Sequence, residues 1–444
     1  MRKKILSKEQ NSSDVPFCSN KKFWNFIMNK ETNFIIKINV TVGEGSVSPR
    51  TMEEGRKQLS YDNNAMYPIR PYKIIAQCLG IWCMNCQNFI PKMQLTIVCI
   101  LLVTNGISLF HELNPSCEVP KDAILIPVST AICCFLAVTK ILSIRFNRKK
   151  MLQIITSILE DWSSPKNDAD IEPLSRASKI GRKISSFQLL SAFISTIPMF
   201  LCGMGNSAIF DATKNETEIV KAIPLANPCF YKYIFMDLYI EIYLLQILQI
   251  IATILGNVGC DCYFFGVTML LVGQIQCFAS DIERFEPNRQ SLTIVIGKHN
   301  HLIQMADHLE KIFRAVIAFQ VMANVYQICM GGLQILFSIR LGDRTTAINF
   351  TIFVMIFLVQ LSIYSYAGES LSSSINYLQT SLYSCPWYQV TPKVSKDLIF
   401  IMARCGKPFH LTAGKIISMN LESYKGIIKT LGSYFSVMQA MFDK

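Results

Sequence analysis

The chain has 444 residues, of which 51% are hydrophobic and only 17% charged, with a mean hydropathy of +0.31. Soluble domains carry about a quarter charged residues, so this balance excludes an ordinary soluble globular protein. The net charge of +12 fits basic residues that flank membrane spans and face anionic lipid, not a nucleic-acid partner, because the apolar residues cluster in long runs.

Residues 1–60 are polar and are expected to form a cytoplasmic N-terminal extension. The opening MRKKILSKEQN lacks the apolar core of a cleavable signal, so the first span is expected to act as its own insertion signal. A short segment, Leu79-Gly80-Ile81-Trp82, precedes that span. Seven runs are long and apolar enough to cross a bilayer, at 93–111, 122–144, 186–210, 236–259, 313–339, 347–369 and 416–442. The expected fold is an all-α membrane protein of seven transmembrane helices. Helical pattern continues past the fourth run through Phe264–Phe278. The segment Ser291–Lys311, with apolar spacing at Leu292, Val295, Leu302 and Leu309, reads as a cytoplasmic extension of the fourth or fifth helix. No internal repeat is visible, which weighs against a transporter built from two related halves.

Lysine and arginine counts orient the chain. The stretch before residue 93 holds 14, and the connection 145–183 holds nine. The connection 280–311 holds Arg284, Arg289, Lys298 and Lys311, and 385–415 holds Lys393, Lys396, Arg404, Lys407 and Lys415. The alternate connections are poorer: 112–121 offers only Lys121, 211–235 only Lys214, Lys221 and Lys232, and 340–346 only Arg340 and Arg344. Positive loops stay inside, which predicts a cytoplasmic N-terminus and an extracellular C-terminus, the reverse of a G-protein-coupled receptor. Asn215-Glu216-Thr217 then falls in an outer loop, where it is either a glycosylation site or an unused sequon. Cys117 and Cys229 lie in separate outer connections and are either bonded or free.

No metal spacing, nucleotide loop or nucleophile elbow is present, so neither an enzyme nor a cofactor is expected. In the last run, Glu422, Lys425 and Lys429 share one helical stripe, and Val437, Ala440 and Met441 follow towards its end. A wet stripe ending in apolar residues reads either as a pore entrance and hydrophobic gate or as lysines snorkelling at the interface. Phe200, Met204, Tyr239, Tyr243, Phe353 and Phe357 lie in the outer halves of the runs. They read either as walls of a pocket for a small apolar ligand or as helix packing.

The C-terminal third resembles the insect odorant receptor family. The resemblance rests on Tyr364-Ser365-Tyr366-Ala367-Gly368-Glu369, on Leu411-Thr412-Ala413-Gly414-Lys415 leading into Leu421-Glu422-Ser423-Tyr424, and on Ser433-Tyr434-Phe435-Ser436-Val437-Met438. His299, Leu302-Ile303 and Leu309-Glu310 resemble the family's helix before the fifth span. What the resemblance implies is a ligand-specific subunit of a ligand-gated, non-selective cation channel, assembled with an odorant co-receptor into a heterotetramer in the plasma membrane of an olfactory neuron dendrite. Residues 61–279 would then hold helices one to four and the outer-half ligand-binding bundle. Residues 280–444 would hold the cytoplasmic anchor and helices five to seven, with the last lining the pore. Val437 and Met441 would form the gate, and the ligand would be a small volatile molecule. Ala440 stands where the co-receptor is polar, so the resemblance implies no selectivity role for it. The long insertion that the co-receptor carries between its fourth and fifth spans has no counterpart in 280–311. A gustatory-type chemoreceptor channel is the alternative; its TYhhhhhQF-type ending is not matched by Ser433-Tyr434-Phe435 with Gln439-Ala440.

Overall fold

A computed structural model describes residues 66–442, apart from residue 86 and the segments 112–124, 164–167, 203–205, 212–215, 222–223, 226–237, 284–288, 385–387, 389–390 and 406–407. The expected N-terminal extension, Cys117, Cys229, Met204 and the sequon residue Asn215 lie outside the described residues. The helices are α1 (Arg70–Cys78), α2 (Phe89–His111), α3 (Leu125–Phe146), α4 (Arg148–Ser163), α5 (Asp168–Cys202), α6 (Tyr239–Ile254), α7 (Cys260–Glu283), α8 (Arg289–Leu341), α9 (Arg344–Ser384), α10 (Pro392–Cys405) and α11 (Leu421–Phe442). Leu255–Gly259 form a π-helical turn that joins α6 to α7. Two short antiparallel hairpins complete the described chain: β1 (Asn206–Asp211) with β2 (Glu216–Lys221), and β3 (Thr412–Ala413) with β4 (Ile417–Ser418).

Two compact units contain these elements. Residues 61–197 and 223–444 form the helical bundle. The end of α5 from residue 198 and the β1–β2 hairpin belong to the other unit. That hairpin pairs Asn206 with Lys221 through Asp211 with Glu216.

Five helical stretches are long and apolar enough to cross a membrane: Phe89–His111, Pro127–Phe146, Tyr239–Glu283, Leu292–Leu341 and Arg344–Ser384. Their outward faces keep large apolar side chains exposed, such as Ile97, Ile100, Val103 and Ile107 on α2. In water such a patch would be a liability; against lipid it is the expected surface. The third and seventh expected spans fall on α5 and α11, which are not among those five.

The purely helical expectation needs correction at two places. Residues 206–210, placed in the third span, belong to β1, because an apolar run that short is compatible with either state and Asn206 and Asp211 bound it as a strand. Residues 416–420, placed in the last span, form β4 and the cap of α11. There Asn420 Oδ1 accepts the Ser423 amide at 2.7 Å, as an N-cap does. The segment after residue 291 joins the fifth expected span as one helix, α8, of 53 residues, and the pattern past the fourth span runs on to Glu283.

The bundle has a basic end, where Phe146, Asp168, Glu283, Arg289, Ser384 and Leu421 terminate or begin their helices, and a far end at His111, Leu125, Tyr239, Leu341 and Arg344. Its core runs along α7, α8 and α9, with Phe264, Phe313 and Tyr364 in ring contact at 4.7 and 5.2 Å. At the far end, Asp343 caps α9: its Oδ1 accepts the amides of Thr345 at 3.1 Å and Thr346 at 3.2 Å. Hydrogen bonds from the Thr346 hydroxyl, then from these amides, hold its carboxyl below the ordinary 3.8. A depressed folded pKa contributes stability above the unfolded value, and this is lost as pH falls through the folded one. Asp343→Ala is therefore expected to loosen the α8–α9 turn by about 1 kcal/mol near neutral pH, read as a lower thermal midpoint in detergent. Once pH has fallen below the depressed folded pKa of Asp343 the difference should vanish.

Candidate functional site: a buried charge node, a motif junction and an open last helix

Among the described residues, one ion pair lies where neither solvent nor lipid reaches. Lys140 on α3 lies 2.5 Å from the Asp261 carboxylate on α7, with side chains 1% and 2% exposed. The Lys140 ammonium also donates to the Asn257 backbone carbonyl at 3.3 Å and to its side-chain oxygen. From α9, Gln360 donates to Asp261 Oδ2 at 2.6 Å and the Tyr364 hydroxyl to Oδ1 at 2.5 Å. Three acceptor contacts for the ammonium and three donors for the carboxylate compensate what burial takes away; without such geometry a buried pair costs more than it returns. Asn257 sits within the π-turn and Asp261 one helical turn beyond it. The extra residue of that turn rotates both towards α3. Gly256 lies in the same turn, and a Cβ there would sit 2.9 Å from that of Ala137, so α3 approaches the turn closely. The node thus ties α3, α7 and α9 to one point.

Towards the far end, a second set of polar groups follows. Asn105 on α2 donates to Thr253 on α6 at 3.4 Å and to the Cys134 sulfur at 3.4 Å, and Gln249 donates to Thr104 at 3.2 Å. On α8, Gln320 donates to Asn324 at 2.7 Å, both fully buried. The fully buried Gln327 meets nothing better than the Cys133 thiol. Buried amides with spare hydrogen-bonding capacity are rare in a settled core, and they mark the far half of the bundle as able to orient a small ligand or water.

Among the described residues expected to line a pocket, two pairs are in ring contact. Tyr239 and Tyr243 stack obliquely on α6, ring centres 5.9 Å apart. Phe353 and Phe357 form an edge-to-face pair at 4.7 Å, inside a cluster with Ile328 of α8 and Leu431 of α11. Phe200, half-buried, stands near the end of α5 in the unit that carries the β1–β2 hairpin. Phe353 and Phe357 therefore touch the packed face of the last helix.

The last helix divides its faces. Ile427, Ile428, Leu431 and Phe435 pack against α8 and α9. Glu422, Lys425, Lys429 and Ala440 are exposed, and so are Val437 at 60% and Met441 at 68%. The stripe read from the sequence is thus a continuous uncovered face, polar at the basic end and apolar at the far end.

The sequence blocks at 299–310, 364–369 and 411–424 meet at one junction. Gly414 and Lys415 both have positive φ, 64° each, and Ile416 donates to the Ala413 carbonyl at 3.0 Å, the geometry of a type I′ turn. This hairpin docks on α8: Gly414 donates to Arg314 O at 3.0 Å and the Thr412 hydroxyl to Glu310 at 2.7 Å. On α9, Glu369 accepts the Leu421 amide at 3.3 Å, which fixes the start of the last helix. Gly368 lies against Met419 so closely that a Cβ would come 2.0 Å from its carbonyl oxygen.

Among the described residues no group of histidine, cysteine or carboxylate side chains could hold a metal ion. Sequence reasoning missed Lys140 and Asp261. The signal that could have found them was an ionisable residue inside or just beyond an apolar run.

Comparison with known proteins agrees with this architecture. A family model described as 7tm Odorant receptor matches residues 124–432. Odorant receptor 13a of Drosophila melanogaster is 25% identical over 348 residues, covering 71% of this chain and 80% of that protein. Odorant receptor Or2 of Anopheles gambiae is 23% identical over 316 residues, covering 67% and 79%. The solved structure of the insect olfactory receptor OR5 from Machilis hrabei superposes with a TM-score of 0.66 at 12% identity, covering 85% of this chain and 99% of that one. Its complex with eugenol gives 0.65 at 12% identity, covering 85% and 100%. At that identity the likeness shows the fold alone; the family follows from the sequence match, and this helical membrane protein belongs to the 7tm odorant receptor family.

Proposed function

We propose that the chain is a ligand-specific odorant receptor subunit that joins a co-receptor in a heterotetrameric, odorant-gated cation channel. It would sit in the plasma membrane of a sensory dendrite, with seven spans, a cytoplasmic N-terminus and an extracellular C-terminus. The observation that carries this reading is the uncovered face of α11. Lipid accepts an exposed Val437 and Met441 but not the polar stripe on the same face, whereas a helix facing a central pore needs both. The basic end is then cytoplasmic, Glu422, Lys425 and Lys429 line the inner vestibule, and Val437 and Met441 form the outer constriction, with Ala440 beside them. A volatile apolar ligand binds in the far half, near Tyr239, Tyr243 and the spare amides of α8. Phe353 and Phe357 sit between that half and α11, where ligand-dependent repacking would reach the pore. The ligand opens the pore only by its differential affinity for the open state. The Machilis receptor solved with eugenol supports a small organic ligand of this kind.

Recording cation currents with and without the co-receptor against a volatile panel tests the reading. Currents should require both subunits and a ligand; silence in every pairing despite surface expression would overturn it. Val437→Ala is expected to raise basal current or alter permeation while leaving the order of ligand preference unchanged. Orientation is read separately, from a tag at the N-terminus that stays hidden in unpermeabilised cells.

A further inference from the structure

Away from the node and the last helix, a groove runs between α5, α7 and α9 at the basic end. It consists of two adjoining cavities of about 440 and 350 Å³ that share Arg176, Gln276, Ser373 and Ser374. Its composition changes in one direction, and all three helices agree on the order. Nearest the bundle centre, Ile180, Met269, Val272 and Tyr366 give an apolar floor. One to two turns towards the basic end come Arg176, Gln276 and Ser373, a cation with neutral donors. At the rim come Glu172, Ser280 and Tyr377. The Tyr377 hydroxyl donates to Glu283 at 2.8 Å, which brings a second carboxylate to the rim. Gln276 donates to Ser374 at 3.2 Å and so fastens the α7 and α9 walls together. Among the described residues, Arg176 and Glu172 enter no ion pair.

Apolar, then cationic, then anionic is the complement of one class of molecule: a tail, a phosphate and an ammonium in that order. Arg176 and Glu172 stand one helical turn apart, a rise of about 6 Å, which suits a phosphate and an amine joined by a two-carbon link. The guanidinium and the hydroxyls suit phosphate oxygens. A carboxylate with serine and tyrosine hydroxyls beside it suits a primary ammonium, which has three protons to donate. A purely anionic headgroup would meet repulsion from Glu172 and Glu283.

We infer that this groove is a binding site for a phosphatidylethanolamine-type zwitterionic phospholipid of the inner leaflet, held by Arg176 at its phosphate and by Glu172 at its ammonium. Placing it in the inner leaflet rests on the orientation proposed above, whereas lipid retention has no sidedness, so the lipid result and the tag result fail independently.

The full-length chain, reconstituted in nanodiscs of equal phosphatidylethanolamine, phosphatidylcholine and phosphatidylglycerol and then extracted in mild detergent, should retain phosphatidylethanolamine preferentially by quantitative mass spectrometry. Arg176→Gln should cut that enrichment about tenfold, the loss of a charge-assisted hydrogen bond. Glu172→Gln should instead shift the retained lipid towards phosphatidylglycerol. Ser373→Leu, which fills the groove without changing charge, should abolish enrichment and carries the test if Arg176→Gln does not fold. Identical lipid complements in the wild type and all three variants would overturn the site. Preference of the wild type for phosphatidylglycerol would overturn the role of Glu172. Soluble phosphoethanolamine binding as tightly as the lipid would show a free phosphate compound, not the bilayer, to be the source.

Discussion

Lys140→Met is expected to destabilise the bundle by about 3–5 kcal/mol, because it leaves the Asp261 carboxylate buried without its counter-charge. Gln360 and Tyr364 would still donate to that carboxylate, but they carry no charge to oppose it. Asp261→Asn is expected to be comparably damaging, since it strands an ammonium whose remaining partners are the oxygens of Asn257. The pair replaced together should cost clearly less than the sum of the two single changes, and that shortfall is the coupling energy. Thermal midpoints of the purified chain in detergent, combined in a double-mutant cycle, measure it. Additive single changes, or a Lys140→Met midpoint equal to wild type, would show that the two groups do not act as a buried pair.

Gly368→Ala should be the second most damaging change. The added methyl carbon would lie 2.0 Å from the Met419 carbonyl oxygen, and that atom belongs to a backbone held by the hydrogen bond that the Met419 N–H donates to the Leu411 carbonyl at 2.8 Å. Neither side can rotate away, so α9 and the β3–β4 hairpin must separate, at about 3 kcal/mol as for other overpacked contacts. Because the hairpin sets the start of α11, the variant should also lose ligand-evoked current. Gly297→Ala on α8 is the control. A Cβ there meets nothing within 4 Å, and alanine favours helix over glycine by about 1 kcal/mol, so stability should rise. The same substitution with opposite signs at two helical glycines separates close approach from helix propensity.

Much of the fold was legible in the sequence. Long apolar runs report helices because a membrane allows little else, and helices cover the core of all seven runs. The positions that misled were the ends. Residues 206–210 and 416–420 have the apolar character of a span but the length of a strand, and period alone does not separate them. The open stripe of α11 was visible as Glu422, Lys425, Lys429 and Val437 at helical spacing, since periodicity reports which residues share a face. Pocket walls were not visible, because whether Tyr243 and Phe357 meet depends on how whole helices are placed. Lys140 was hidden for a different reason: one lysine in the 23-residue run 122–144 barely changes its hydropathy. Asp261, two residues past the fourth run, was not singled out, and it is the partner that permits that lysine. The block Tyr364–Glu369 was read only as a likeness, yet its parts have separate physical tasks. Tyr364 serves the buried pair, Gly368 admits the hairpin and Glu369 holds the start of the last helix.

The length of α8 has a consequence for how the protein meets its solvents. At 1.5 Å per residue its 53 residues extend about 80 Å, against about 30 Å of hydrocarbon in a bilayer. More than half of one unbroken helix therefore lives in water or among headgroups. Its first half keeps Leu302 and Leu309 fully buried and Ile294 exposed, the one-sided pattern of a soluble helix. Two folding economies share a single rod: near its start, burial is driven by water, and further along, by packing and hydrogen bonds alone. Urea should loosen the first half before the second, and harsh detergents should reverse that order.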